Sequence, residues 1–274
     1  MIKKIISGGQ TGADRAALDF AIEVGIPHGG WVPKGRKAED GTVPGKYNLQ
    51  EMPTSSFPAR TEKNVVDSHG TLIISHGKLT GGSLRTMKIA DKHKRPYLHI
   101  DLTKVNHFQA AGKIINWVAE NRIETLNVAG PRASKDPQIY EETLTVLKAT
   151  HYMSILDEEL PDPQRATPLL PRTIEEALEV MESGMSQKDK ISIARMKEEE
   201  LIFLHPTLGA YIRDKFGLSE GNRSLMTSCR KASGGQDLDE DSASSLIIRK
   251  LWERLRPAYS LRVVENNGKS DKGP

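Results

Sequence analysis

Ile2-Lys3-Lys4-Ile5-Ile6-Ser7-Gly8-Gly9-Gln10-Thr11-Gly12-Ala13-Asp14-Arg15 is the stretch from which the fold is read. A β-prone apolar run gives way to a glycine-rich turn, after which Ala17, Phe20, Ala21 and Val24 recur at helical spacing. Strand, glycine turn and amphipathic helix open a parallel α/β sheet. The first half of the chain repeats this rhythm. Strands are expected at residues 2–7, 71–75, 97–101 and 125–129, and helices at 13–24, 60–68, 82–93, 105–122 and 137–150. Right-handed crossovers gather the loops that follow the strands on one sheet edge, and a ligand site belongs there.

Gly8, Gly9 and Gly12 permit close backbone approach, so that amides and the positive end of the next helix surround an anion. No Lys-Ser or Lys-Thr pair follows, and the spacing is not G-x-G-x-x-G, which disfavours ATP hydrolysis and redox dinucleotides. Leu79-Thr80-Gly81-Gly82-Ser83 repeats the arrangement after the second strand. Two such turns on one edge suit opposite parts of one ligand. A third loop, Ala129-Gly130-Pro131-Arg132-Ala133-Ser134, adds a hydroxyl and an arginine able to grip a phosphate with two parallel hydrogen bonds.

Residues 27–58 carry several prolines and glycines without a sustained helical period, and are too long for a mere connector. Within them Trp31-Val32-Pro33-Lys34-Gly35-Arg36-Lys37-Ala38-Glu39-Asp40 sets a basic cluster beside a tryptophan. It reads as a lid over an anionic, ring-containing ligand, or as an exposed loop or subunit contact. The eight histidines include no H-x-x-x-H pair, and His93 and His99 read as structural. The single cysteine, Cys229, has no partner for an internal disulfide and fits a reducing compartment, so the expected location is the cytoplasm.

The expected organisation is a ligand-binding domain over 1–157, a proline-rich linker over 158–171, a helical domain over 172–258 and a polar tail over 259–274. Helices are expected through Met181 and at 188–196, 207–216 and 242–255, the first opened by Thr173 and Glu176 at capping-box spacing. A net charge of +3 and an aromatic content of 5% disfavour an extended nucleic-acid surface. No apolar stretch approaches the roughly 18 to 20 residues needed to cross a bilayer, and the amino-terminal run is too short for a signal-peptide core.

Ser7 to Arg15, Gly30 to Gly41, Ala59-Arg60-Thr61-Glu62-Lys63-Asn64-Val65, Leu79 to Ser83 and Val128 to Ser134, in that order, resemble the molybdenum cofactor carrier family over residues 5–150. The resemblance implies an α/β, Rossmann-like parallel sheet with helices on both faces, related to the lysine-decarboxylase-like and DNA-processing proteins of the SLOG group. A small all-helical carboxyl-terminal domain follows it. It also implies a homo-oligomer, a dimer or tetramer, that binds molybdenum cofactor without transforming it and passes it to cofactor-accepting enzymes. Carried over to this sequence, the ligand shell is Gly8, Gly9, Gln10, Thr11, Gly12, Arg15, Lys34, Arg36, Thr80, Gly81, Gly82, Ser83, Arg132 and Ser134, with no catalytic residue and no metal ligand. His69 stands where the family often has an acidic residue, which implies a change of charge at the site. Residues 204–218 and 251–255 resemble a small helical domain family of unknown function.

Two rival functions follow from the same group. Its nucleotide phosphoribohydrolases resemble one another in a Pro-Gly-Gly-x-Gly-Thr-x-x-Glu motif, whereas residues 80–88 here read Thr-Gly-Gly-Ser-Leu-Arg-Thr-Met-Lys and lack the glutamate. Asp14 is the acidic group near the loops that stands to replace it. A nucleotide sensor, holding a nucleotide-like phosphorylated ligand in place of the cofactor, is the other.

Overall fold

A computed structural model describes residues 2–155 and 170–259, and the chain divides into two compact units, Met1–Ser154 and Ile155–Pro274. Most of the expected linker and nearly all of the expected tail lie outside the described residues.

The first unit contains β1 (Lys4–Ile6), α1 (Ala13–Val24), β2 (His28–Gly29), β3 (Trp31–Val32), β4 (Lys37–Ala38), β5 (Gly41–Thr42), β6 (Gln50–Glu51), α2 (Phe57–Val66), β7 (Gly70–Ser75), α3 (Gly81–Lys92), β8 (Tyr97–Asp101), α4 (His107–Glu120), β9 (Thr125–Ala129) and α5 (Ile139–Ile155). Five strands form a parallel sheet in the order β2-β1-β9-β7-β8. Both of its faces are covered, which is why its strands read as continuous apolar runs; every residue of β7 is buried. Ile5, Leu72, Ile74, Leu126 and Val128 share one core with Ala17 and Phe20 of α1, Ile114 of α4 and Leu147 of α5. Ile6 and Ile73 alternate to the opposite face and are buried as well; α3 packs on β7, and α2 on α3.

Local chemistry starts and stops the helices. Ser56 caps α2 by accepting the Ala59 N–H at 3.3 Å, and Pro58 stands in its first turn. Asn106 and Gln109 form a capping box on α4. Gly25 ends α1 in the left-handed conformation. Because β9 enters last, between β1 and β7, the loops after these three strands stand side by side at the carboxyl edge. Such a reversal of strand order is where open α/β sheets take ligands.

β2 was not anticipated: two residues at the head of the 27–58 insertion pair with Ile5 and Ile6 as an edge strand. The remainder of the insertion is two small ribbons, β3 with β6 and β4 with β5. Val32, Val43, Tyr47 and Leu49 form its own small core against Leu18 of α1.

The second unit contains α6 (Ile174–Gly184), α7 (Gln187–Arg195), α8 (Ala210–Lys215), α9 (Arg223–Ala232) and α10 (Glu240–Tyr259). Thr173 accepts the Glu176 N–H at 3.2 Å, while Glu176 reaches back to the Arg172 N–H at 2.7 Å. The helix expected at 207–216 is only partly α. A 3-10 segment, Glu198–Leu204, and a π-type turn, His205–Gly209, precede α8. Pro206 lacks the N–H that a regular turn requires there. Cys229 is buried on α9, and burial pushes its thiol up to about 11, so it is an inert packing group. Among the described residues no helix is long and apolar enough to cross a membrane.

Ile74→Ala removes a fully buried side chain from the interior strand β7. It is expected to cost about 2 to 5 kcal/mol of stability in chemical denaturation. A loss below about 1 kcal/mol would mean that the core collapses around the gap.

Candidate functional site

A cleft of about 630 Å³ opens at the carboxyl edge of the sheet. The loop after β1 and the first turn of α1 give it Gly8, Gln10 and Asp14. The end of β7 gives Ser75, the loop after it and the start of α3 give His76, Lys78 and residues 79–83, and β9 with its loop gives Asn127, Gly130, Arg132, Lys135 and Asp136. The fourth wall is α2, through Phe57, Arg60, Thr61 and Asn64.

The second glycine motif faces this cleft. Thr80 is the extended residue before α3, and Gly81, Gly82 and Ser83 are its first turn. A β-carbon built on Gly81 or Gly82 would meet nothing within 4 Å, so neither glycine is required by packing. Their bare backbone leaves room for an approaching anion at the positive end of α3. The loop before α3 is pinned by Asp101, which accepts the Gly77 N–H at 2.7 Å. The Thr103 hydroxyl beside it, together with that amide, holds the Asp101 carboxyl down at about 2. Ser75 donates to the Gly77 carbonyl at 3.1 Å and lies 2.9 Å from His99 Nε2. Burial pushes the His99 pKa down, which favours the neutral ring in this network.

Of the expected ligand shell, Gly8, Gln10, Thr80, Gly81, Gly82, Ser83 and Arg132 line the cleft. Gly9, Thr11, Gly12, Arg15, Lys34, Arg36 and Ser134 do not, and the structure gives most of them other partners. Gly9 meets the insertion core, where a β-carbon would lie 2.9 Å from Leu49. Arg15 makes a two-pronged ion pair with Asp40 at 2.5 and 2.8 Å. Lys34 is exposed. Arg36 spends its guanidinium on the insertion itself, donating to the carbonyls of Val43, Pro44, Tyr47 and Leu49 at 3.0 to 3.1 Å. Trp31 does not line the cleft, and its Nε1 donates to Asp67 at 2.8 Å.

Glu39 explains the third loop. Its carboxylate accepts from the Thr11 hydroxyl, the Ser134 hydroxyl and the Ser134 N–H, with Arg132 Nη1 at 3.6 Å. Burial opposes its charge, but the Ser134 and Thr11 hydrogen bonds outweigh this and hold the carboxyl below its usual range. The insertion thus clasps the loops after β1 and β9 from outside the cleft.

Sequence reasoning missed three groups on the cleft wall. His76 Nδ1 lies 2.8 Å from Asp136 Oδ2, joining the loops after β7 and β9. Asn127 donates to the Thr71 hydroxyl at 3.1 Å beneath them. Arg60 lies against Asp14, its Nη1 3.5 Å from Oδ2. Burial raises the Asp14 pKa, against the pull of Arg60 and of the Gln10 N–H. The available signal was a polar pair four residues apart, Arg60 and Asn64, on one side of a helix that packs against the sheet unit. His69, by contrast, accepts the Glu124 and Thr125 N–H groups at 3.2 Å at the start of β7, the end of the strand away from the cleft. The implied change of charge at the site is therefore corrected: His69 stands at the opposite sheet edge.

Residues 5–151 match the Circularly permutated YpsA SLOG family. The chain belongs to that family. Residues 170–255 match a domain family of unknown function, DUF6794. The SLOG domain is similar to the 1.45 Å crystal structure of a "Putative molybdenum carrier protein" from Syntrophus aciditrophicus SB. The two are 61% identical over 54% of this chain and 94% of that one, with a TM-score of 0.54. No curated protein matches the chain.

Arg36→Met in this SLOG domain leaves four carbonyls of the insertion without their donor. Hydrogen bonds from a charged group are worth about 1.5 to 3 kcal/mol each and are not additive, so a loss of at least about 2 kcal/mol is expected. Amide hydrogen exchange is expected to rise over residues 36–50 while β7 stays protected. Unchanged exchange there would show that the apolar core alone holds the insertion.

Proposed function

We propose that the SLOG domain binds and carries a phosphorylated small molecule, and that this cargo is molybdenum cofactor. The observation that carries the reading is the bare backbone at Gly81 and Gly82, set in a cleft whose wall also holds Arg60, Lys78, Arg85, Arg132 and Lys135. Five cationic side chains face two acids, Asp14 and Asp136, each of which already has a partner. A nearly neutral chain thus concentrates positive charge at one place, as an anionic ligand requires. The relative described as a molybdenum carrier points to molybdenum cofactor among phosphorylated ligands. In this reading Gly8, Gln10, Thr80, Gly81, Gly82, Ser83 and Arg132 meet the ligand. Gly9, Thr11, Gly12, Arg15, Arg36 and Ser134 shape the loops around it. A homo-oligomer acting in the cytoplasm and serving cofactor-accepting enzymes completes the proposal.

Native mass spectrometry of freshly purified protein, with molybdenum analysis of the same sample, tests the cargo. A pterin with molybdenum is the expected result; a purine nucleotide without a pterin would make the protein a nucleotide sensor. Gly82→Asp, which puts a carboxylate at the phosphate position, is expected to abolish binding and leave the fold intact. Unchanged affinity in calorimetry sinks the anion seat.

A hydrolytic reading is favoured by one observation, the His76–Asp136 pair, which has the form of a base and its orienting acid. Free base or phosphate released from nucleoside monophosphates, and lost in Asp136→Asn, would establish it.

We also propose that residues 1–157 fold and bind alone, with 158–171 as linker, 172–258 as a separate helical domain and 259–274 as a tail. A truncation ending at Asp157 is expected to stay soluble and keep its affinity. A loss beyond about tenfold, or 1.4 kcal/mol, from a folded truncation would make the helical domain part of the site.

A further inference from the structure

We infer that Arg60 is the residue that grips an oxyanion of the ligand, exchanging Asp14 for it, while Phe57 beside it takes a planar ring. The inference rests on the binding reading above and names the chemistry of the ligand at the α2 wall: a flat heterocycle bearing a phosphate or similar tetrahedral oxyanion.

Arg60 is placed by its helix. Asn64, one turn on, is buried; it accepts the Trp31 N–H at 2.8 Å and donates to the Trp31 carbonyl at 3.1 Å, which fixes the rotation of α2. Phe57 and Arg60, three residues apart, then share the side that lines the cleft. The Arg60 side chain is only 11% exposed. Among the described residues its one hydrogen-bond acceptor is Asp14 Oδ2 at 3.5 Å, and its buried Nε has none. Charge-assisted bonds of a guanidinium are about 2.7 to 2.9 Å long, so this contact is loose. A five-donor group taken out of water on one loose contact costs free energy that a two-pronged oxyanion would recover.

The surroundings are shaped to the guanidinium. A β-carbon on Gly8 would lie 1.7 Å from Arg60 Nη1 and 2.2 Å from Cζ, so only glycine leaves the group its place against the loop after β1. Asp14 is the partner exchanged. It keeps the Gln10 N–H at 3.3 Å whether or not Arg60 stays, and burial, which raises its pKa against the pull of Arg60, eases uptake of a proton once Arg60 has left it. Phe57 is 43% exposed on the lip of the cleft, with the Arg60 guanidinium 6.0 Å from its ring centre. An exposed ring beside a cation suits stacking with a heterocycle.

Calorimetry with neopterin monophosphate and guanosine 5′-monophosphate, their unphosphorylated counterparts and inorganic phosphate tests the assignment on the full chain. At least one phosphorylated ring is expected to bind more tightly than free phosphate or the bare ring. Arg60→Met is expected to weaken it tenfold or more. Arg60→Lys, which keeps the charge and loses the fork, is expected to fall between, and carries the test where the Met variant does not fold. Asp14→Asn is expected to strengthen binding, because the competing carboxylate is gone. A purely structural ion pair predicts the opposite pattern, with both partners' variants weakening binding alike or not at all, and that result overturns the inference. Loss of binding in Gly82→Asp but not in the Arg60 variants leaves the binding reading standing and removes Arg60 from it. Free phosphate bound as tightly as the phosphorylated rings removes the ring subsite at Phe57. A wild-type chain that binds neither phosphorylated ring sinks the binding reading, and the Arg60 assignment with it.

Discussion

Ala13 donates its backbone N–H to the Pro131 carbonyl at 3.3 Å, and a β-carbon on Gly12 would stand 2.5 Å from that same oxygen. On Gly130 a β-carbon would stand 2.5 Å from the Ile74 carbonyl and 2.6 Å from the Ala13 side chain. The loops after β1 and β9 and the end of β7 therefore meet main chain to main chain, at junctions with no room for a side chain. Ser7 ties the same corner by donating to the Val128 carbonyl at 2.7 Å. Cleft walls set this way do not depend on rotamers, which is what a site holding a ligand in one pose requires. The strand order makes the corner possible, since only the insertion of β9 between β1 and β7 brings these three ends together.

The same corner decides which charges are free. A cation satisfied inside the fold is lost to a ligand, and the 27–58 insertion satisfies several. Its Asp40 neutralises Arg15, its carbonyls absorb Arg36, and its Glu39 occupies the hydroxyls of Thr11 and Ser134. Asp19 fastens the other end, accepting from Lys46 and from the hydroxyls of Tyr47 and Tyr140 at 2.6 to 3.0 Å. What began as a basic loop in the sequence is a brace for α1 and for the loop after β9. The field that remains in the cleft comes from residues on other elements, with Arg60 the most deeply set.

The periodic parts of the chain were legible. Strands at 97–101 and 125–129 and the helix at 13–24 stand where the pattern places them, and β7 begins one residue early, because buried parallel strands and amphipathic helices write themselves into residue spacing. β2 and the ribbons of the insertion were not legible, since two-residue strands carry no period and their pairing is tertiary. α9 was not anticipated either; Leu225 and Cys229 are its buried residues among ten. Glycine turns on the cleft edge could be located from sequence, but the partners of charged residues could not. Arg36 and Arg60 are both arginines in motif-like runs, and only the helical spacing of Arg60 with Asn64 sets the one that faces the cleft apart from the one that serves four carbonyls.

The Arg60–Asp14 arrangement also bears on how tightly such a cleft would hold an anion. A guanidinium buried with no counter-charge would bind an anion strongly and release it slowly, whereas one that must first give up a carboxylate gains only the difference between two contacts. Asp14 keeps the Gln10 N–H in such an exchange, and burial, which raises its pKa, eases its uptake of a proton as Arg60 leaves. On the proposed exchange, an anion would gain a shorter, two-pronged contact at modest net free energy, and the exchange would run backward as readily. The two acids on the wall, Asp14 and Asp136, already pair with Arg60 and His76, and the position that the hydrolase glutamate takes in the related motif is held by the exposed Lys88.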